Sequence, residues 1–570
     1  MAQAASLLAY QGLDGFPVII DSDHQGALNT PQDLTIVRER PIAINNDLFE
    51  LADSAGVRKD LWPTLIDWDL FADRSFQGEI TGISSVRKGS LTVSGSLVNV
   101  PLGSFQMIIR PNVVMANIVL PDGFYQIRYA GEGSHGVFEI DQSQFPPEME
   151  PTPVDAAPRF QPLPSRDSGD VIDLMVVYTT AAKNAAGGLG PMEALIDLAI
   201  AETNGSYENS NVNPRVRLVH TMEVDYAESG NIGTDRNRLQ NPNDGFVDEV
   251  HAAREEYGAD MVPMIVNNGG GFCGVAYIMS TVTTDFRDFG FCIVARNCAT
   301  GYYSFGHELG HIQSARHDYF VDGTINSPFA FNHGFTSPPN NWRTIMAYGN
   351  ACSGTGGCTR LQYWSNPEVD YQDDGPMGVP LNQPQPAFNA MTLNETAFTI
   401  ANFMPSADCA ADTFEPNNNQ GESSTLQPSM LGAQVTDLSI CSGDEDWYHI
   451  PVLAGHQFEI TATFIHNNGD LDLVVYDQNL NQLAASSTTN DFETVSLTPN
   501  ADATYYAKVY SAVGQSNDYE LEAILNPTQN FIYSYWNNES QTFCGTQPAN
   551  VATLLCYISN GYACSPTPCQ

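Results

Sequence analysis

The pentapeptide His307-Glu308-Leu309-Gly310-His311 constrains this chain more than any other stretch of it. Two histidines four residues apart share a face only on a helix. Glu308, beside the first, can reach a metal-held water without itself being a ligand. Zinc is the natural occupant, because it takes neutral imidazoles, and a catalytic ion needs three protein ligands and one open position. The fold must therefore bring a third ligand back to this helix. His317 lies six residues past His311 and is followed by Asp318, a spacing that suits a chain folding back onto the metal. Asp318 and His333 are the other candidates for that position.

Downstream, Arg343-Thr-Ile-Met-Ala-Tyr-Gly349 places a methionine in a tight turn. Together these features resemble the metzincin clan of metallopeptidases, whose signature is a long histidine motif followed by a Met-turn. The His317-Asp318 pair and Tyr363-Trp-Ser-Asn-Pro367 look most like its reprolysin (adamalysin)-like bacterial secreted branch. The resemblance implies a zinc metalloendopeptidase with one catalytic Zn2+ held by His307, His311 and His317. Glu308 would be general base and acid, and Met346 the floor beneath the ligands. Tyr348 matches a Met-x-Tyr spacing in related groups where the phenol helps the oxyanion, with a core tyrosine as the plain alternative. Ser314 stands where the family has glycine, and a left-handed backbone there costs a non-glycine residue roughly 1–2 kcal/mol.

In the resembling family the substrate peptide lies extended, antiparallel to an edge strand, and pairs through its main chain. Gly274, Val275, Ala276 and Tyr277 are the expected contacts, against the bland reading of a Gly-rich loop beside a core strand. Arg316, Arg343 and Arg360 lie near the site in sequence, so one could favour an acidic substrate side chain; structural arginines are equally common. His220 and His251 read as structural, as do His135 and the later His449, His456 and His466.

Charge narrows the partners. With 66 Asp and Glu against 23 Lys and Arg, the net charge of -43 repels nucleic acid and anionic lipid. No run of 18 apolar residues suggests a membrane helix. The first residues, Met-Ala-Gln-Ala-Ala-Ser-Leu-Leu, lack the basic region and apolar core of an export signal. The cysteines carry the compartment argument instead. None of the 11 precedes Cys273, no Cys-x-x-Cys occurs, and Cys352/Cys358, Cys409/Cys441, Cys544/Cys556 and Cys564/Cys569 are closely spaced. Local disulfides in an oxidising compartment follow, hence a secreted, extracellular chain. The odd cysteine belongs among Cys273, Cys292 and Cys298.

The expected organisation is multidomain. Residues 1–145 alternate in short strand-like runs such as Phe105–Arg110 and Gly123–Tyr129, a β-rich propeptide. Residues 146–169 form a linker with seven prolines, extended and cleavable, where Arg159 and Arg166 are processing candidates; a plain spacer is the alternative. Residues 170–405 read as an α/β metzincin catalytic domain, with helices expected over Pro191 to about Asn204, stopped by Gly205, and Gly245 to about Tyr257. Residues 412–525 read as an all-β sandwich. Asp412-Thr-Phe-Glu-Pro-Asn, Asp446-Trp-Tyr448 and Asp470-Leu-Asp-Leu473 resemble the bacterial pre-peptidase C-terminal domain, which implies a jelly roll. Its oxygen donors Glu415, Asn417 and Asp444 suit Ca2+, against ordinary Asx turns. Residues 526–570 read as a small disulfide-rich tail.

A β domain and a cleavable linker before a protease imply a zymogen whose own propeptide is an intramolecular inhibitor. With no cysteine before Cys273, the plug must be a carboxylate, a histidine or steric cover. The rival readings are an extracellular binding protein retaining a protease fold, and a zinc hydrolase of non-peptide amides.

Overall fold

A computed structural model describes residues 15–20, 28, 33–54, 62–87, 89–131, 133–155, 171–352 and 357–404. Beyond these it describes 414, 417–426, 428, 433–440, 444–452, 456–464, 470–488, 490–499, 503–511, 517–527, 531–537, 542–549 and 562–565. Arg159, Arg166, Glu415 and His466 lie outside the described residues. The chain divides into two units, with the break after Pro405.

The N-terminal part of the first unit is a ten-stranded sheet. Its centre is an antiparallel meander from Leu65–Phe71 through Ser104–Arg110 and Val113–Leu120 to Ser134–Ile140. Two-residue turns drive the meander: Pro111-Asn112, with Asn112 at φ 61°, and Pro121-Asp122. Asn tolerates that left-handed geometry. One short helix, Asp47–Ser54, interrupts the strands against expectation, and its Leu48 and Leu51 are buried in the sheet's core.

The second part is a six-stranded sheet. Its elements are β1 (Thr152–Val154), β2 (Val171–Thr179), α1 (Leu189–Asn209), β3 (Arg215–Val224), α2 (Ile232–Gln240), α3 (Glu249–Glu256), β4 (Val262–Val266), β5 (Gly274–Met279), β6 (Phe291–Ala295) and α4 (Ser304–Ile312). The strand order is β1-β5-β6-β4-β2-β3, parallel throughout except β5 with β6. Helix α5 (Asn389–Ala401) closes the core with Leu393 and Ile400.

The structure corrects two sequence expectations and adds one helix. Helix α1 runs through Gly205, because a Cβ at that position would meet Gln106 Nε2 at 2.6 Å; the glycine makes room rather than ending the helix. Gly245 lies in a turn at φ 82°, and the helix starts at Glu249. Helix α2 went unread, since Ile232 and Leu239 are its only buried apolar residues.

The ten-stranded sheet docks on α1. Ile108, Val113 and Met115 join the core of the second part. Buried Asp197 on α1 accepts from Arg87 Nε at 2.7 Å and Arg110 Nη1 at 3.0 Å. Glu202, also on α1, accepts from Asn117 of the sheet and from the Gly301 N–H.

The second unit contains a five-stranded and a four-stranded sheet around Tyr448, Phe458, Ile460, Leu473 and Leu521. Three further strands, Phe531–Asn537, Thr542–Ala549 and Tyr562–Ser565, follow. The expected pairings of Cys409/Cys441, Cys544/Cys556 and Cys564/Cys569 fall outside the described side chains.

Candidate active site

Helix α4 is buried at every position. Its sequence, Ser-Phe-Gly-His-Glu-Leu-Gly-His-Ile, packs closely through two glycines. A Cβ on Gly310 would sit 2.6 Å from the Trp364 ring and 2.9 Å from Met346 Sδ. Trp364 and the Met346 turn can therefore press against the helix from below only because residue 310 is glycine.

The helix ends in a left-handed turn. Ser314 has φ 73°, and the Ser314 and Ala315 N–H groups return to the carbonyls of His311 and Gly310 at 2.9 and 2.8 Å. The strain of a Cβ in that region is about 1–2 kcal/mol. Ser314 Oγ donates to Met279 O at 2.8 Å, a bond that glycine could not make. The reversed chain brings His317 back over the helix.

His307, His311 and His317 are all buried, and one ligand atom of each lies within 4.8 Å of the others. The Nε2 atoms of His311 and His317 are 3.1 Å apart, and those of His317 and His307 3.3 Å. Tetrahedral zinc–nitrogen bonds of ~2.0–2.1 Å place two nitrogens about 3.3 Å apart. His307 Nδ1 faces Ile345 O at 2.9 Å and His311 Nδ1 faces Ala315 O at 2.8 Å, so these nitrogens carry the protons. The Nε2 lone pairs of His307 and His311 then turn toward His317 Nε2, an arrangement that a cation between them would satisfy. Burial keeps His307 neutral, its pKa pushed down to about 3. The donor set fits zinc.

Glu308 is buried, and neither carboxylate oxygen has a hydrogen-bond partner among the described residues. Burial, and then the nearby Glu148 carboxylate, push its pKa well above the ordinary value. It lies against Gly274, where a Cβ would be 2.4 Å from Glu308 Oε1. Met346 is fully buried. The Tyr348 ring lies 4.1 Å from that of His317, centroid to centroid.

The two fallback ligands are engaged elsewhere. Asp318 accepts from the N–H groups of Tyr348 and Phe320 at 2.8 and 3.0 Å. His333 turns both nitrogens to the carbonyls of His317 and Thr324. In the second unit, Asp444 Oδ1 accepts from the Glu445 N–H at 2.9 Å, and Asn417 is buried with its carbonyl on the Trp447 N–H.

Residues Gly274–Tyr277 form most of β5, and its outer edge carries part of the proline-rich linker. Cys273 N–H donates to Pro147 O at 2.9 Å, Met149 N–H to Gly274 O at 2.8 Å, and Ser280 N–H to Val154 O at 3.0 Å. Thr152 to Val154 pair with Tyr277 to Met279 in parallel. Pro147, Pro151 and Pro153 lack N–H groups, so the linker offers little to a further strand.

Glu148 of this segment is the residue that sequence reasoning missed. Its Oε1 accepts from Arg360 Nη1 at 2.6 Å and from Ser304 Oγ at 2.9 Å, and its Oε2 from Arg360 Nη2 at 3.0 Å. Its backbone carbonyl accepts from the Tyr348 hydroxyl at 3.0 Å. Burial, the largest single influence, would raise its pKa; the charge and hydrogen bonds of Arg360, together with the neighbouring His307 and Arg343 charges, outweigh it and hold the carboxyl well below the usual range. Glu150 is largely exposed, with Oε2 3.4 Å from His317 Nδ1. Arg316 instead pairs with Asp322 at 3.0 Å, and Arg343 bonds to Cys358 O, Ala347 O and the Tyr302 hydroxyl. Cys273 bonds Cys298 and Cys352 bonds Cys358; Cys292 is a free, buried thiol with its pKa raised by burial.

A buried glutamate beside three converging imidazoles over a methionine turn defines a zinc metalloendopeptidase. Residues 168–365 match the family model described as metallo-peptidase family M12. A peptidyl-Asp metalloendopeptidase of Xanthomonas campestris pv. campestris is 40% identical over 314 residues, 53% of this chain and 70% of that protein. One from Stenotrophomonas maltophilia is 39% identical over 316 residues, 53% of this chain and 71% of that protein. The chain belongs to this bacterial M12 metallopeptidase family. Among solved structures, metalloproteinase-II from Bacteroides fragilis is 13% identical, covering 49% of this chain and 89% of that one at a TM-score of 0.30. The pre-peptidase C-terminal domain of a Bacillus anthracis collagenase is 17% identical, covering 18% of this chain and 95% of that one at a TM-score of 0.16.

Proposed function

We propose that the chain is a secreted zymogen of a zinc endopeptidase that cleaves peptides at acidic residues. The observation that carries this is Glu308, a buried carboxylate without a partner, beside the three converging Nε2 atoms. His307, His311 and His317 would hold the ion, which supplies Lewis acidity toward the scissile carbonyl and an attacking water. Glu308 takes the proton from that water and passes it to the leaving amine. The Tyr348 hydroxyl, freed from Glu148 O, donates to the oxyanion. Gly274–Tyr277 pair with the substrate main chain. The acidic preference follows from the likeness to peptidyl-Asp metalloendopeptidases.

Residues 146–154 serve as the intramolecular inhibitor. They occupy the strand edge a substrate needs, and they run parallel to β5, opposite to the expected substrate direction. Export is supported by the two disulfides. Among the described residues no helix is long and apolar enough to cross a membrane. The test compares intact chain, chain cut between residues 155 and 170, and the cut Glu308→Gln form on casein. Chelator-sensitive cleavage should rise on cutting and vanish in Glu308→Gln with zinc content unchanged; a Glu308→Gln enzyme with full activity refutes the assignment.

A further inference from the structure

The geometry points to Arg360 and Ser304 as the pocket that selects the substrate's acidic side chain, with Glu148 of the linker its resident stand-in. This rests on the endopeptidase reading above and assigns its specificity to named atoms. The Arg360 side chain is fully buried, and its guanidinium grips one carboxylate with both terminal nitrogens, a fork that reads carboxylate shape as well as charge. Ser304, the first residue of α4, adds a third donor to the same carboxylate. The pocket is rigid. The Arg360 guanidinium stacks 4.3 Å over the Tyr302 ring and Nη1 also donates to Tyr302 O at 2.9 Å. Its Nε–H has no partner among the described residues.

Glu148 belongs to the segment that must leave β5 before a substrate can pair there. Once it leaves, a buried cation remains beside Ser304 at the start of α4, facing no other carboxylate among its hydrogen-bond partners. An uncompensated buried charge is strongly unfavourable, whereas a new carboxylate restores the pair. A peptide with Asp or Glu beside the scissile bond supplies it; Asn or Gln fills the same space without the charge. Of Arg316, Arg343 and Arg360, only Arg360 has a carboxylate that the chain can withdraw. Arg316 keeps Asp322, and Arg343 is bound to carbonyls and a phenol.

The turnover arm uses the zinc-loaded chain cut between residues 155 and 170, followed to steady state, and blocked peptides that differ only in Asp, Glu, Asn or Gln at the cleaved position. Wild type should prefer Asp over Asn by at least ~10²-fold in kcat/KM, as expected where a buried polar group is left unpaired by the wrong substrate. Arg360→Gln should collapse that ratio at least tenfold, and Arg360→Lys should recover part of it. If Arg360→Gln does not fold, Ser304→Ala should still lower the ratio by about tenfold. A second arm needs no turnover. In Glu308→Gln chain, the Asp peptide should speed deuterium exchange at the Met149 amide at least tenfold more than the Asn peptide does. Equal acceleration by the two peptides, or an undiminished ratio in Arg360→Gln or Ser304→Ala, overturns the pocket. A wild type that cleaves none of the peptides would instead sink the endopeptidase reading, and the exchange arm would still decide the pocket.

Discussion

Gly274→Ala separates the position of Glu308 from its presence. An added Cβ would lie 2.4 Å from Glu308 Oε1, 2.6 Å from its Cγ and 2.7 Å from its Cδ. Ordinary contact begins near 3.4 Å, so the carboxylate must retreat by about 1 Å, and a misplacement of that size costs on the order of 10²-fold in rate. Gly274 is not among the residues of positive φ, so alanine suits the strand backbone. The added methyl overpacks the site by about 1–2 kcal/mol, which lowers Tm by only a few degrees. The assay is hydrolysis of a quenched fluorescent peptide by matured enzyme, beside zinc content by atomic absorption. The expected result is full zinc, a small change in Tm and a loss in kcat of about 10²-fold. A variant with full zinc and more than a third of wild-type kcat would falsify the claim that Glu308 acts from the place where Gly274 admits it.

Three further outcomes are expected. Tyr348→Phe should lower kcat by about 10²-fold with zinc unchanged, as for loss of one oxyanion donor, and unchanged turnover removes that role. Ser314→Gly should alter stability by less than ~1 kcal/mol in denaturant titration, because relief of left-handed strain offsets the lost bond to Met279, whereas Ser314→Ala keeps the strain and loses about 1 kcal/mol. Burial raises Glu202 to a pKa of about 8 from 4.5, against bonds from the Gly301 N–H and Asn117 that lower it, so the folded state binds more protons across that window. Stability should therefore fall as pH rises from about 5 through 8, by at most ~1.4 kcal/mol per unit, and Glu202→Gln should flatten that slope; a Glu202→Gln profile as steep as wild type excludes this group as the cause.

What could be read from the sequence was local. The four-residue spacing of His307 and His311 names a helix face, and Met346 in its turn narrows the class, because both signals sit within a few residues of what they describe. Helix α2 was invisible because its stability comes from tertiary contacts: Asp235 accepts from the Tyr226 hydroxyl, and Arg236 donates to Ala276 O at 2.9 Å and stacks on Tyr277. The role of Glu148 was equally hidden. It is one acid among many, in a segment whose prolines read as spacer, and its partner Arg360 lies more than 200 residues away. Nothing in either neighbourhood reports that pairing.

Two anchors hold the linker at its site, and they have different fates. A cut between residues 155 and 170 frees only the C-terminal side of the segment. On the other side the ten-stranded sheet still grips α1 through Arg87 and Arg110, and Phe145 stacks on Tyr302 at 4.4 Å. Glu148 then remains at an effective concentration set by a tether of a few residues, in the millimolar range or above. On the proposed zymogen reading, severing the chain and opening the site are separate events. A nicked sample should show a lag before activity, and the lag should shorten when the detached sheet is removed or digested rather than when more cuts are made.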